Sequence, residues 1–457
     1  MRISRRTSAR YLFRLGGIVF SASAIRMEAQ PSPALTRADE GAELRSLVEN
    51  YLRETDGTRR KEISETIVSQ SEASWARLAE ILRTRTDWPA APSGDFLYTN
   101  RDGESVSGII RAPMEYDPTK KHPLIVCLAV EGTPQEAWNS AILTIGSVGY
   151  EHVWLVLDGR RWASFHRESP SLDFREALRE ARRKIHVDSD RVYLYAEGIA
   201  GAAAWQLALM HTDLFAGFIV KSGYPAFPYA NQLYPLLLPN LGPLPVIFLT
   251  PDHEESAPGA RGNLVQVHLG AMDAIARREA LNFRKITVPT DGRPLAESAV
   301  RTVQQLLTSL RPKAIATAGR WFRYLDEGDL GCLRATGLHF DVWKAEQLSI
   351  VAGPEEDRNR FITDVLREKL GHIRARPEGQ VLTIETLRCS GVEITFRDRD
   401  FNYNQPILIS CNGRKRFEAL VKRDMTAMLE AAYSDWEFEN PVVARKSFSI
   451  HADAANP

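Results

Sequence analysis

The chain has 457 residues, 44% of them hydrophobic and 25% charged, and its 58 basic side chains are balanced by 58 acidic ones. A balanced surface lacks the clustered positive field that a phosphate backbone requires, which excludes nucleic acid as a partner. The length exceeds what one hydrophobic core organises, so more than one domain is expected.

The amino terminus, MRISRRTSARYLFR, is basic, and the apolar LGGIVFSASAI that follows is too short to span a bilayer. Ala22-Ser23-Ala24 supplies a small-residue cleavage site, so residues 1–24 read as a bacterial export signal and the mature protein is expected to be periplasmic or secreted. Arg5 and Arg6 leave a twin-arginine route open. No later segment is long and apolar enough for a membrane helix. Residues 25–40, with QPSPALTRADEG, read as a polar linker. A helical prelude is predicted over 41–90, where Leu44, Leu47, Val48 and Leu52, then Trp75, Leu78, Ile81 and Leu82, recur at helical spacing. Its expected role is to pack on the main domain or on a partner. Trp88, Pro89 and Pro92 mark the boundary before GESVSGIIRAP.

Over 95–312, short apolar runs alternate with amphipathic stretches. HPLIVCLA, HVWLVLD, RVYLYAE, FAGFIVKS, PVIFLT and RKITVP read as strands buried on both faces, as in a parallel sheet. The intervening segments read as helices, so the pattern predicts an α/β domain with a doubly wound sheet. Asp188 and Asp190 read as a turn feeding the third of these strands. Residues 192–205, VYLYAEGIAGAAAW, run from strand to helix through the small-residue turn Ala196-Glu197-Gly198-Ile199-Ala200. That turn has the form of a nucleophile elbow, G-x-S-x-G, in which a strained strand-to-helix turn exposes a central serine. Gly198 stands at the centre, without hydroxyl, thiol or carboxylate. Glycine visits positive φ at no steric cost, so it relieves the strain that a serine would store there.

The pattern Asp188-x-Asp190-Arg191-Val192-Tyr193-Leu194, the elbow, and Ala208-x-x-x-x-Asp213-Leu214-Phe215-Ala216-Gly217 together resemble the α/β-hydrolases, in particular the secreted polyhydroxybutyrate-depolymerase and feruloyl-esterase-like group. The resemblance covers under half the chain, and implies an α/β-hydrolase fold with nucleophile, acid and histidine in that chain order. Those positions fall at Gly198, then Glu254 or Asp252, then Arg293, so the implied triad is degenerate. Arg293 cannot accept a proton, because a guanidinium stays protonated; an ion pair with Glu254 or Asp252 is expected instead. Where such enzymes write His-Gly-Gly-Gly for the oxyanion loop, this chain has Ala129-Val130-Glu131-Gly132, which would place the Glu131 carboxylate near developing negative charge. The second implied oxyanion donor is the Ile199 backbone N–H.

A displaced nucleophile is the competing possibility. Ser222 follows a core strand, and His166 and His268 are available bases, although Ser222 also fits a strand end before a Gly-Tyr-Pro turn and His268 one face of an amphipathic helix. Cys127 lies within an apolar strand, where a thiol behaves as a small hydrophobe. With Cys332, Cys389 and Cys411 it is expected to be a free buried thiol, although export would permit a bridge between Cys389 and Cys411, which flank neighbouring predicted strands. No C-x-x-C pair or histidine cluster calls for a metal, and nothing in the sequence calls for a cofactor.

Past Pro312, residues 313–457 change character: aromatics in GRWFRYL and HFDVW, a helix in PEEDRNRFITDVLREKLG, then strands QVLTIETL, VEITFRD, PILISCN and RFEALVK, with Asn412-Gly413 as a tight-turn signal. A helix, DMTAMLEAAYSD, and a strand, VARKSFSI, close this β-rich α+β module. It resembles the appended module of some secreted esterase-like proteins, with Cys411 in place of the valine of their V-N-G hairpin. The sequence therefore reads as an exported, non-catalytic α/β-hydrolase-fold protein, a pseudo-esterase that binds a small molecule, polysaccharide or protein, or acts as a scaffold. The alternative is a serine-type carboxylic ester hydrolase with a displaced nucleophile.

Overall fold

The apolar runs of the first half assemble into one eight-stranded sheet. Its strands are β1 (Gly94–Thr99), β2 (Ser105–Arg111), β3 (His122–Ala129), β4 (Val153–Asp158), β5 (Val187–Glu197), β6 (Gly217–Lys221), β7 (Val246–Pro251) and β8 (Phe283–Val288), in the order β1-β2-β4-β3-β5-β6-β7-β8. The computed structural model describes residues 33–70, 73–85, 87–90, 92–100, 103–130, 132–158, 170–225, 235–251, 260–289, 295–309, 319–339 and 354–450. The six runs read from the sequence are parallel neighbours from β4 to β8, whereas β1 and β2 pair antiparallel with each other and β2 pairs antiparallel with β4. β1 lies ahead of the expected start of the sheet. Its alternating burial, with Phe96 and Tyr98 inside and Leu97 outside, is the mark of an edge strand, weaker than a continuous apolar run.

Alternation along β3 explains why its run is continuous. Leu124, Val126 and Leu128 enter one apolar cluster with α5 (Pro170–Lys184) and α6 (Ala200–Met210), while Ile125, Cys127 and Ala129 enter a second with α4 (Pro134–Ile145) and the helix Glu297–Thr308. Successive strand residues point to opposite faces, so both faces must be apolar when both are covered. Asp188 and Asp190 differ from the expected turn: they lie within β5, where Asp190 N–H donates to the Asp188 carboxylate at 3.1 Å.

The expected linker also differs, since helix α1 already begins within it and runs Pro33–Arg53, followed by α2 (Gly57–Ser69) and α3 (Trp75–Arg83). These helices bury Leu44, Val48, Leu78 and Leu82 against the carboxy-terminal half, beside Ile373, Leu382, Phe396 and Leu429, rather than against the large sheet. The Trp75 indole donates to the Val442 carbonyl at 3.1 Å. That half contains a five-stranded and a three-stranded sheet. Asn412 and Gly413, both at positive φ, link Ile407–Cys411 to Arg414–Ala419 as the sequence predicts. Three strands escape the sequence pattern: Arg320–Phe322 is only 3 residues long, Leu333–Leu338 contains Gly337, and Gly371–Glu378 alternates with arginines and ends near Pro377. All four cysteines are buried thiols.

Arg320, 1% exposed, ties the two halves together. Its guanidinium donates to the Met210 carbonyl at 2.6 Å, the Thr212 hydroxyl at 2.8 Å and the Asp213 carboxylate at 3.1 Å, and also to the Asp329 carbonyl. Arg175 lies 3.6 Å from Asp213, 3.5 Å from Asp329 and 3.4 Å from His211 Nδ1. Burial acts to raise the Asp213 pKa, but the Arg320 and Arg175 guanidiniums overcome it and hold the carboxyl below its usual range. Arg320→Met leaves that carboxylate buried without its closest cation, and should lower unfolding free energy in urea by about 3–5 kcal/mol; a loss under about 1 kcal/mol would show that the network does not hold the halves together.

Burial, reinforced by the same two guanidiniums, holds the His211 imidazole well below its ordinary pKa. The folded protein therefore keeps His211 neutral while the unfolded chain takes up the proton below about pH 6.5. Stability is full above that pH and declines on acidification, at no more than about 1.4 kcal/mol per pH unit from this group. Urea unfolding measured as a function of pH should show that decline in the native chain and a flatter profile in His211→Asn.

Candidate functional site

At the carboxyl end of β5 the chain leaves Glu197, turns at Gly198 with φ +54°, and enters α6 at Ala200. The Gly198 N–H donates to the Lys221 carbonyl at 2.8 Å, and its carbonyl accepts from Gly201 N–H at 3.0 Å. This is the strand, left-handed residue and helix of an elbow. A Cβ added at Gly198 would meet nothing within 4 Å, so the space in front of the turn is open. Ile199 next to it is 49% exposed.

The turn is tight because two glycines face each other across it. A Cβ on Gly201 would stand 2.5 Å from the Cα of Gly223, and a Cβ on Gly223 would stand 2.7 Å from the Cα of Gly201. Both contacts are with backbone, which cannot swing aside. The Trp205 indole then donates to the Gly223 carbonyl at 3.0 Å, fixing α6 to the segment after β6.

Glu197, immediately before the turn, is committed to a network on the α4 face. Ser140 donates to it at 2.7 Å, Thr144 at 3.1 Å, and Tyr195 donates as well. Lys221 Nζ lies 3.6 Å from the same carboxylate and donates to the Thr144 hydroxyl at 2.9 Å. Tyr195 and Glu197 share a face because they are two apart on a strand, and Ser140 and Thr144 because they are four apart on a helix. Sequence reasoning missed this network; the polar pair on an otherwise apolar helix face was its signal. Burial, then the Glu197 charge, drives the Tyr195 phenol well above its ordinary pKa and pushes the Cys127 thiol up. Cys127 is thereby kept protonated, as a buried hydrophobe rather than a nucleophile.

One strand over, Ser222 has φ +52°, a rare conformation for a residue with a side chain. Glu197 pairs with Lys221 in the sheet, so Ser222 follows β6 just as Gly198 follows β5, at the same edge of the sheet. Its N–H donates to the Leu249 carbonyl at 2.9 Å. Tyr224 stacks on His268 with ring centroids 4.8 Å apart and planes 9° from parallel. Burial lowers the His268 pKa, favouring the neutral imidazole.

Of the residues singled out from sequence, the structure brings together Gly198, Ile199 and Ser222 at one edge of the sheet, with His268 stacked on Tyr224 in the segment after Ser222. Glu131, His166, Asp252, Glu254 and Arg293 lie outside the described residues, and with them the expected ion pair of Arg293. Among the described residues no group of three or more His, Cys, Asp or Glu is placed to hold a metal ion, and no helix is long and apolar enough to cross a membrane.

No family model matches the chain, and no curated protein matches it. Solved structures show a distant likeness over about half of it. A thermostable esterase aligns with TM-score 0.35 and 15% identity, over 47% of this chain and 61% of that one. A putative dipeptidyl aminopeptidase IV from Bacteroides ovatus aligns with TM-score 0.35 and 14% identity, over 47% of this chain and 34% of the other. Porphyromonas gingivalis dipeptidyl peptidase 4 aligns with TM-score 0.35 and 9% identity, over 48% and 35%. The chain thus spans less than two thirds of the esterase and about a third of each peptidase. The protein itself has a mixed eight-stranded α/β sheet accompanied by smaller β-sheets.

The two kinds of glycine at the turn predict different costs. Gly198→Ala meets open space and should cost about 1–2 kcal/mol, the strain of a left-handed side chain. Gly201→Ala drives a Cβ into backbone and should cost at least about 2 kcal/mol, more than Gly198→Ala. Urea midpoints of the two variants measure this; a benign Gly201→Ala would show that the close approach is not a constraint.

Proposed function

We propose that this chain is an exported, non-catalytic relative of the α/β-hydrolases, a pseudo-esterase that binds a ligand or partner at the carboxyl edge of its sheet or serves as a scaffold. The observation that carries this reading is Gly198: the elbow is present, with its φ of +54° and its open front, and has no side chain to act as nucleophile. The strand order, with an antiparallel start and a parallel remainder, supports the fold assignment. The basic and apolar amino terminus supports export. A turn relieved of strain and a carboxylate fully engaged by its neighbours are features of a stable scaffold, since catalytic sites hold groups in reserve at a cost in stability.

One observation favours a second reading. Ser222 takes a left-handed conformation at the same edge of the sheet as the vacant position, and strain of this kind gathers at functional sites. In that reading the Ser222 hydroxyl attacks an ester carbonyl, its proton passes to neutral His268, and the alcohol leaves with that proton as the acyl-serine forms; water then releases the acid.

A fluorophosphonate probe and a panel of p-nitrophenyl esters separate the two. The purified protein should show neither adduct nor turnover. A mass-mapped adduct at Ser222, with turnover abolished in Ser222→Ala, would overturn the non-catalytic reading and establish the second.

A further inference from the structure

Ala216 and Pro243 stand just before β6 and β7, at the amino-terminal edge of the parallel strands, away from Gly198 and Ser222. Between this edge and the carboxy-terminal sheets the described residues line a cavity of about 480 Å³. Small-molecule sites commonly occupy about 300–1,000 Å³. The run from Ala216 to Ser222 spans roughly 20 Å of extended chain, so this cavity is separate from the elbow.

Its wall carries five arginines and six carboxylates. These charges are set against one another. Arg175 lies between Asp213 and Asp329 at 3.6 and 3.5 Å, and Arg182 lies 3.8 Å from Glu437. Arg397 lies 3.3 Å from Asp435. An ionic ligand entering here would find each of these opposite charges already engaged, and the near balance of signs provides no focused field to draw it in. What remains is hydrogen-bonding capacity. A guanidinium has five N–H donors and a carboxylate about four acceptor positions, of which one or two contacts use only part. Arg445 on the same wall is only partly buried and donates to Glu430 at 3.4 Å through one nitrogen, which leaves its other donors for a ligand. The same wall carries the exposed Pro243 beside the buried Leu214, Phe215 and Leu333, an apolar stretch next to the polar one.

A ligand suited to this wall is uncharged, offers many groups that both donate and accept, and has a C–H face for the apolar stretch. Vicinal hydroxyls on a pyranose ring meet all three requirements. We propose that the cavity between the large sheet and the carboxy-terminal sheets binds a short neutral oligosaccharide. The site needs no residue of the elbow, and holds whether or not Ser222 is a nucleophile.

Isothermal titration of the full chain with cellobiose, xylobiose, maltose and diacetylchitobiose tests this, with glycylglycine and citrate as charged comparators at low and high salt. At least one disaccharide should bind, with an affinity that salt leaves unchanged because no charge pairing contributes. Thr395→Trp, which fills the cavity from the strand Cys389–Arg397, should weaken that binding at least about tenfold, or about 1.4 kcal/mol. Ser434→Trp fills it from an exposed position near the end of the helix Met425–Asp435, and carries the same test if Thr395→Trp does not fold. Gly198→Ala should bind as the native chain does. Absence of disaccharide binding, binding unaffected by a folded cavity-filling variant, or tighter binding of glycylglycine or citrate would overturn the proposal. A fluorophosphonate adduct at Ser222 would overturn the non-catalytic reading and leave this one standing.

Discussion

The close approach of Gly201 to Gly223 is the constraint on which the rest of the elbow depends. It lets the buried helix α6 begin directly against the segment after β6, with no side chain between the two backbones. From that contact follow the sharp exit from β5, the left-handed turn at Gly198, and the bond from the Trp205 indole to the Gly223 carbonyl. Gly201 is a demanding choice inside the buried helix α6, since glycine lowers helix stability by roughly 1 kcal/mol relative to alanine.

Chemistry and scaffold are thereby separated in one short segment. Glu197 is held by Ser140, Thr144, Tyr195 and Lys221 below the turn, while Gly198 leaves the space above it open. A carboxylate so engaged anchors the strand end to α4 and β6. Ser222 has the same left-handed backbone conformation one strand away.

A second constraint governs the relation of the two halves. Arg320 reaches from the carboxy-terminal half into the turn after α6, where its charge is matched by Asp213 and its two terminal nitrogens also donate to main-chain carbonyls and Thr212. A charge so deeply buried is tolerated only when partners surround it. Arg175 extends the same network to the wall of the cavity, so the contact that joins the halves also helps to shape the space between them.

By itself the sequence determined the alternation of strands and helices, the Asn412-Gly413 hairpin and the absence of a nucleophile at Gly198. These are matters of local periodicity, turn chemistry and residue identity, which need no knowledge of distant contacts. The edge strand β1, the short strand Arg320–Phe322 and the arginine-rich strand Gly371–Glu378 were not legible, because their residues become strand by pairing with neighbours rather than by their own pattern. Only the tertiary structure decided that the amino-terminal helices cover the carboxy-terminal sheets, that Ser222 and Gly198 share one edge of the sheet, and that a charge-paired cavity lies at the opposite edge. Each of those depends on which segments far apart in the chain come to share a sheet edge or an apolar core, and spacing along the sequence carries no record of that choice.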